Sequence, residues 1–276
     1  MANLFIISTG ATCPEIPVAV VIVAICLCLG GLVSYIPQHI TLIRAGTAEG
    51  ISEKSLFILS CSQGALVLNS LILNWSGWYC YSNSDCNWWK CTTGLLSFFQ
   101  ICVNFIAAIP VWFMYLRFKI RDSARACLYD LAYVITFLVL AVVALILSLV
   151  EKHYQNEVFF AVFARILGIG SAITGALVWL PQIAKLMRSR NTVGLSLWMF
   201  IMQSIGGVII ILFQAVLYQQ NWTTWIGYVF VCVEQIAISV ILIVFRFQRR
   251  GLDIIDLPSA EKDREEIAEF ESLLEE

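Results

Sequence analysis

The chain has 276 residues, of which 60% are hydrophobic and only 13% charged, and its mean hydropathy is +0.84. An ordinary soluble domain is about 45–50% apolar and about 25% charged; this composition leaves too little polar surface to cover a water-soluble globule, so the solvent it implies is lipid. A formal net charge of −2 argues against nucleic-acid binding, which needs a basic face or stripe.

A bilayer core of about 30 Å takes roughly 20 mostly apolar residues of helix, and seven such runs follow one another along the chain. Residues 1–16 form a segment with no Lys or Arg, so the run after it is expected to be a span rather than a signal peptide, which needs a basic flank. The first run, Pro17–Ile43, ends in Tyr35-Ile36-Pro37-Gln38. Leu56–Asn74 follows and contains the amide Asn69, and Gly94–Leu116 contains Asn104. Tyr129–Val150 is a fourth run with no motif of its own. The fifth, Val158–Met187, carries Arg165 and then Trp179-Leu180-Pro181-Gln182. Leu197–Tyr218 holds Gln203, and Trp222–Phe245 holds Glu234 well inside the run.

Lys and Arg are retained in cytosolic loops, and here one set of connections holds nearly all of them, including Arg44, Arg117, Arg121, Arg188, Arg190 and Arg246. The opposite set holds only Lys90 and Lys152. The expected orientation therefore has a lumenal amino terminus and a cytosolic carboxyl terminus. Both sequons, at Asn74 and Asn221, then fall on the lumenal side as candidate glycosylation sites. So do Cys13, Cys80, Cys86 and Cys91, in a compartment that permits disulfides; four cysteines allow three pairings, which stay open. The acidic tail, residues 248–276, contains Glu269 separated by three residues, Phe270-Glu271-Ser272, from Leu273-Leu274. That pattern resembles an acidic dileucine signal read by sorting adaptors; an amphipathic solvated helix is the plainer alternative.

Comparing the chain with itself is the most informative step. Tyr35-Ile36-Pro37-Gln38, then Arg44 and Gly50-Ile51-Ser52, recurs as Trp179-Leu180-Pro181-Gln182, then Arg188 and Gly194-Leu195-Ser196, at identical spacing. Ser62-Gln63-Gly64 matches Ser204-Ile205-Gly206, and Cys102-Val103-Asn104 matches Cys232-Val233-Glu234. The unit is three helices used twice. The expected fold is an all-α membrane protein of seven transmembrane helices, in which two parallel three-helix bundles are joined by a connector helix. Residues 17–118 form the first bundle, 119–152 the cytosolic loop and connector, and 153–247 the second bundle.

The doubled Pro-Gln pattern resembles the PQ-loop family, in particular lysosomal and vacuolar exporters of cystine and cationic amino acids, and more distantly SWEET sugar carriers and the KDEL receptor. The resemblance covers roughly Pro17 to Phe247. It implies a proton-coupled carrier that exports a small polar solute, such as an amino acid, from an acidic organelle; the same fold also serves ligand receptors and sensors that do not transport. Its partners would be a small solute, protons and the bilayer.

Within that frame the residues have distinct expected roles. Proline lacks a backbone donor and clashes with the preceding turn, so Pro37 and Pro181, with Gln38 and Gln182 beside them, are candidate hinges. Tyr35 and Trp179 are candidate gates. An acid inside the membrane costs at least about 2.5–3.5 kcal/mol in its charged form, which makes Glu234 the candidate proton carrier. Asn104, Asn69, Gln203 and Arg165 are candidates for the cavity wall. The alternatives are packing amides for Asn69 and Gln203, and for Arg165 either a side chain that snorkels to the lumenal interface or a counter-ion for Glu234 or a substrate carboxylate. No phosphate loop, zinc-ligand spacing or nucleophile–base pair occurs, so neither an enzyme, a metal nor a cofactor is expected.

Overall fold

A computed structural model describes residues 17–74, Trp78, 88–119 and 157–274, together with seven positions between 132 and 146. Every regular element among them is helical: α1 (Val18–Ala45), α2 (Glu53–Leu73), α3 (Trp88–Gly94), α4 (Leu96–Lys119), α5 (Glu157–Gly175), α6 (Leu180–Ser189), α7 (Leu197–Leu212, continued by a π turn over Phe213–Leu217) and α8 (Trp222–Leu274). Six segments are long and apolar enough to cross a bilayer: Val18–Ala45, Glu53–Leu73, Leu96–Phe118, Phe159–Ser189, Leu197–Leu217 and Trp222–Gln248. Helices satisfy their own backbone groups, which is the condition for crossing lipid. The fourth expected span lies largely outside the described residues; Ala132, Ile135, Thr136, Val139, Val142, Val143 and Ile146 within it are helical and lie on one helical face. Cys13, Cys80 and Cys86 also lie outside the described residues, as do the side chains from Arg249 onward, while Cys91 is buried.

The six spans form a ring. In the first repeat α4 packs between α1 and α2, and in the second α8 packs between α5 and α7. Two seams close the ring, one between α2 and α5 and the other between α1 and α7.

At one end of the ring the two Pro-Gln motifs lock the repeats together. Gln38 is buried; its Nε2 donates to the Gly194 carbonyl at 2.6 Å, and its Oε1 accepts from the Ser196 amide at 2.9 Å. Gln182 does the same for the other repeat, donating to the Gly50 carbonyl at 2.8 Å and accepting from the Ser52 amide at 2.6 Å. Each glutamine thus completes the loop of the opposite bundle. The serines finish the motif by capping helices: Ser52 Oγ accepts from the Ser55 amide at the start of α2, and Ser196 Oγ accepts from the Met199 amide at the start of α7. Glycine is required at Gly194 because φ is +80°, and at Gly50 because a Cβ there would run into the backbone of Val193.

The two prolines behave differently. Helix α1 runs without a break through Pro37, and Thr41 Oγ1 donates to the Pro37 carbonyl at 2.7 Å. The fifth span is interrupted over residues 176–179, and Pro181 stands at the start of α6. The break expected twice is therefore present once, in the second repeat.

The seams differ as well. Across α2–α5, Ser62 Oγ donates to the Ser171 carbonyl and Ser171 Oγ to the Ser62 carbonyl, both at 2.9 Å. Asn69 Nδ2 donates to the Ala164 carbonyl at 2.6 Å and lies 3.4 Å from Thr223 Oγ1. Gly168 permits this approach, because a Cβ on it would lie 2.6 Å from Thr223 Cβ and 2.7 Å from Asn69 Nδ2. At the matching positions of the α1–α7 seam, 144 residues away, stand Leu27 for Ser171 and Phe213 for Asn69, with Gly30 and Gly206 bordered by open space.

Three expectations follow. Gly168→Val forces α2, α5 and α8 apart and should lower the thermal midpoint of the purified protein by many degrees. Gly30→Ala meets nothing and removes a helix-interior glycine, so it should be neutral or stabilising by about 0.5–1 kcal/mol. Gln182→Leu strips partners from the Gly50 carbonyl and Ser52 amide at about 1–3 kcal/mol per orphaned group. Its thermal midpoint should fall well below that of an exposed control such as Gln219→Leu.

Candidate functional site

A cavity of about 490 Å³ lies inside the ring, reached by residues of α1, α2, α4, α7, α8 and the interrupted fifth span. Its size is in the range of small-molecule sites, which run to about 300–1,000 Å³. Its polar groups are Ser34, Gln63, Asn104, Gln203, Tyr228 and Gln235; the remaining wall is largely aliphatic, glycine or aromatic. Tyr35 and Trp179, which precede the two Pro-Gln pairs, both line it.

The amides are held in place by neighbours. Gln235 Nε2 donates to Gln203 Oε1 at 2.8 Å, and Tyr35 faces Gln203 from the opposite repeat. Tyr228 stands beside Asn104, which in turn lies against Gly31 of α1. Four buried polar atoms on the wall have no hydrogen-bond partner among the described residues: Gln63 Oε1, Gln203 Nε2, Trp179 Nε1 and the Tyr228 hydroxyl oxygen. Buried polar groups are normally paired, so these are positions where a bound molecule or water gains a hydrogen bond.

Glu234 is 8% exposed and is not part of this wall. Its Oε2 accepts from the Trp179 backbone amide at 3.0 Å, at the break that precedes α6. The interruption explains the contact. The turn over residues 175–178 takes the Gly175 carbonyl for the Val178 amide, at 3.3 Å, and frees the next amide for an outside acceptor. A carboxylate at a helix start also meets the positive end of the helix dipole. The other oxygen, Oε1, is buried without a partner. Trp179 itself is buried, lines the cavity, and packs edge-on against Phe200 with ring centroids 5.2 Å apart. The acid therefore touches the backbone of a cavity residue without entering the cavity.

Of the four residues expected in the wall, Asn104 and Gln203 are there. Asn69 is instead the pin of the α2–α5 seam. Arg165 is absent from the lining and sits fourteen residues before Trp179, of which the ten residues to Gly175 alone span about 15 Å of helix axis. That separation exceeds the reach of an arginine side chain, so Arg165 does not partner Glu234. Gln63, Tyr228 and Gln235 were not singled out from the sequence; Gln63 lay inside the repeated Ser-x-Gly triplet and Gln235 beside Glu234, and those neighbours were the available signal. The sequon asparagines have local roles: Asn74 Nδ2 donates to the Ser70 carbonyl at the end of α2, and Asn221 Oδ1 accepts from the Thr223 amide at the start of α8. Glu269, Leu273 and Leu274 fall on the helical extension of α8.

The chain is 24% identical over 248 residues to an uncharacterized protein of Schizosaccharomyces pombe, a match spanning 80% of this chain and 78% of that one. The model of the PQ loop repeat matches twice, over residues 19–79 and 163–224, and so falls once on each copy of the unit that carries a glutamine clamp. With both regions matched and both clamps formed, the chain carries two copies of the PQ loop repeat.

Proposed function

We propose that the protein is a proton-coupled carrier that moves a small polar solute from the lumen of an acidic organelle, lysosomal or vacuolar, to the cytosol. The observation that carries this reading is the hydrogen bond between Glu234 and the Trp179 amide, because it joins the one acid buried in the spans among the described residues to the wall of a solute-sized cavity. The resemblance to amino-acid exporters makes an amino acid the first solute class to try.

The chemistry runs through the helix break. An ionised Glu234 accepts from Trp179 and is favoured by the dipole of α6. A protonated Glu234 carries no charge for that dipole, and its carbonyl oxygen accepts from the Trp179 amide more weakly than the carboxylate did. Protonation thus loosens the start of α6, and the Trp179 ring on the cavity wall is attached to that same residue. Loading a proton from the acidic side and releasing it on the other would alternate the two arrangements. The full reading has seven spans, as two bundles and a connector, with the Pro-Gln end facing the cytosol, as the basic residues around Arg44, Arg188 and Arg246 suggest. The dileucine pattern at Leu273 and Leu274 would engage sorting adaptors on that side. A receptor that binds without transporting is the second reading, and the same experiment separates the two.

The test is uptake into liposomes with an imposed pH gradient, run over a panel of amino acids, amides and sugars, for the native protein and Glu234→Gln. Glutamine retains an oxygen for the Trp179 amide, so the variant should fold and bind. Accumulation that requires the gradient in the native protein, and falls at least tenfold in the variant, is the expected result. Equal gradient-driven accumulation by both would remove Glu234 as the proton carrier. Binding without flux for every solute would favour the receptor.

A further inference from the structure

We infer that the cavity takes an uncharged ligand, with an apolar body and amide- or hydroxyl-type hydrogen-bonding groups, in preference to a zwitterion or an ion. This rests on the cavity being the solute site of the carrier proposed above, and it narrows the class of that solute.

Three observations carry it. First, among the described residues that line the cavity none is Lys, Arg, His, Asp or Glu. A carboxylate or ammonium brought into an apolar enclosure costs far more than a hydrogen bond returns unless an opposite charge meets it, and an amino acid brings both. Second, the backbone feature on the wall best suited to a ligand carboxylate is already used. A helix that starts inside a membrane protein is a natural anion site, and the start of α6 borders the cavity at Trp179. There the freed amide donates to the protein's own Glu234, which fills the anion position from behind the wall. Third, the unpaired groups that remain are neutral. Gln203 Nε2 and Trp179 Nε1 offer donors, Gln63 Oε1 an acceptor and the Tyr228 hydroxyl either; exchanging the oxygen and nitrogen of either amide changes the hydrogen-bonding pattern but adds no charge. Around them the wall is aliphatic or glycine at Leu27, Gly31, Leu59, Ile210 and Val231, which suits an apolar body. The volume of about 490 Å³ corresponds to about sixteen waters at roughly 30 Å³ each, enough for a compact molecule of that kind.

One apolar body in four charge states provides the test: N-acetyl-leucinamide (uncharged), leucine (zwitterion), leucinamide (cation) and N-acetyl-leucine (anion). Binding of each to the full chain in lipid nanodiscs is followed by tryptophan fluorescence and by the shift in thermal midpoint, with Trp179→Phe to identify the cavity signal. N-acetyl-leucinamide should bind at least tenfold more tightly than each of the other three. Gln203→Leu should weaken it by more than the fall in ligand-free midpoint accounts for; that midpoint falls because Gln235 Nε2 loses its acceptor. Gln63→Glu, which adds a negative charge to the wall, should shift the preference to leucinamide. Tighter binding of leucine or of either ion to the native protein would overturn the inference, as would failure of all four to bind at millimolar concentration. The readout needs no flux. Selective binding of the uncharged member with no transport in liposomes would sink the carrier reading and leave this one standing, while leucine bound most tightly and transported would do the reverse.

Discussion

The arrangement rests on two glutamines, each of which hydrogen-bonds the loop of the other repeat. Gln38 and Gln182 are almost fully buried, and a buried amide is costly unless its oxygen and nitrogen are both paired. Neither repeat can pair its own: the groups that satisfy Gln38 are on residues 194 and 196, and those that satisfy Gln182 are on residues 50 and 52. A single repeat would carry an unpaired glutamine and an uncompleted loop. The exchange also explains why the motif is longer than Pro-Gln. The glycine keeps the two loops within backbone contact, and the serine starts the next helix while its own amide faces the incoming glutamine. The end of the ring that holds both exchanges is accordingly its most constrained part.

Beyond that end, the duplicated unit has diverged in a way that breaks the symmetry of the ring. The α2–α5 seam is closed by reciprocal serine hydrogen bonds and by Asn69, whereas the matching positions in the α1–α7 seam are leucine and phenylalanine. Separating α2 from α5 would leave buried donors without partners in an apolar medium. Separating α1 from α7 at those positions would exchange apolar contacts for other apolar contacts, which lipid tails supply nearly as well. The cavity is bordered by residues of α1 and α7 that also reach the outer surface, among them Ile22, Ile205 and Ile209. Both the energetics and the position of the cavity make α1–α7 the seam that parts at lower cost.

How much of this was legible in the sequence depended on whether the signal was local or relational. The spans were legible because hydrophobic run length follows directly from bilayer thickness, and the repeat was legible because Pro37-Gln38 and Pro181-Gln182 keep their distance to the following glycine and serine. The partners of the glutamines were not. Nothing in the spacing says that Gln38 bonds residue 194 rather than residue 50, since both loops contain the same residue types. Asn69 looked like a cavity amide for the same reason: a buried asparagine reads alike from sequence whether it faces a void or the neighbouring helix, and only the glycine at 168 and the carbonyl of Ala164 decide it. The single helix break was hidden because proline is present in both copies. What differs is the helix opposite, where Glu234 supplies an acceptor for a freed amide and Asn104 instead lies against Gly31 of an intact turn.

That difference between Asn104 and Glu234 separates two tasks that a single buried acid would otherwise combine. An acid on the cavity wall would couple to protons, but its charge would also meet every ligand and favour cations. Here the first repeat contributes a neutral amide to the wall, and the second repeat turns its acid away, toward the backbone behind Trp179. In the proposed carrier, charge would then be sensed through a helix start instead of through the ligand, so the proton and the solute would not compete for one group. The break before Pro181 is what makes this possible: an unbroken helix has no free amide to offer in mid-membrane, and without one a buried Glu234 would lack its only hydrogen-bond partner among the described residues. The acid and the interruption thus require each other, and their absence together from the first repeat is the expected counterpart.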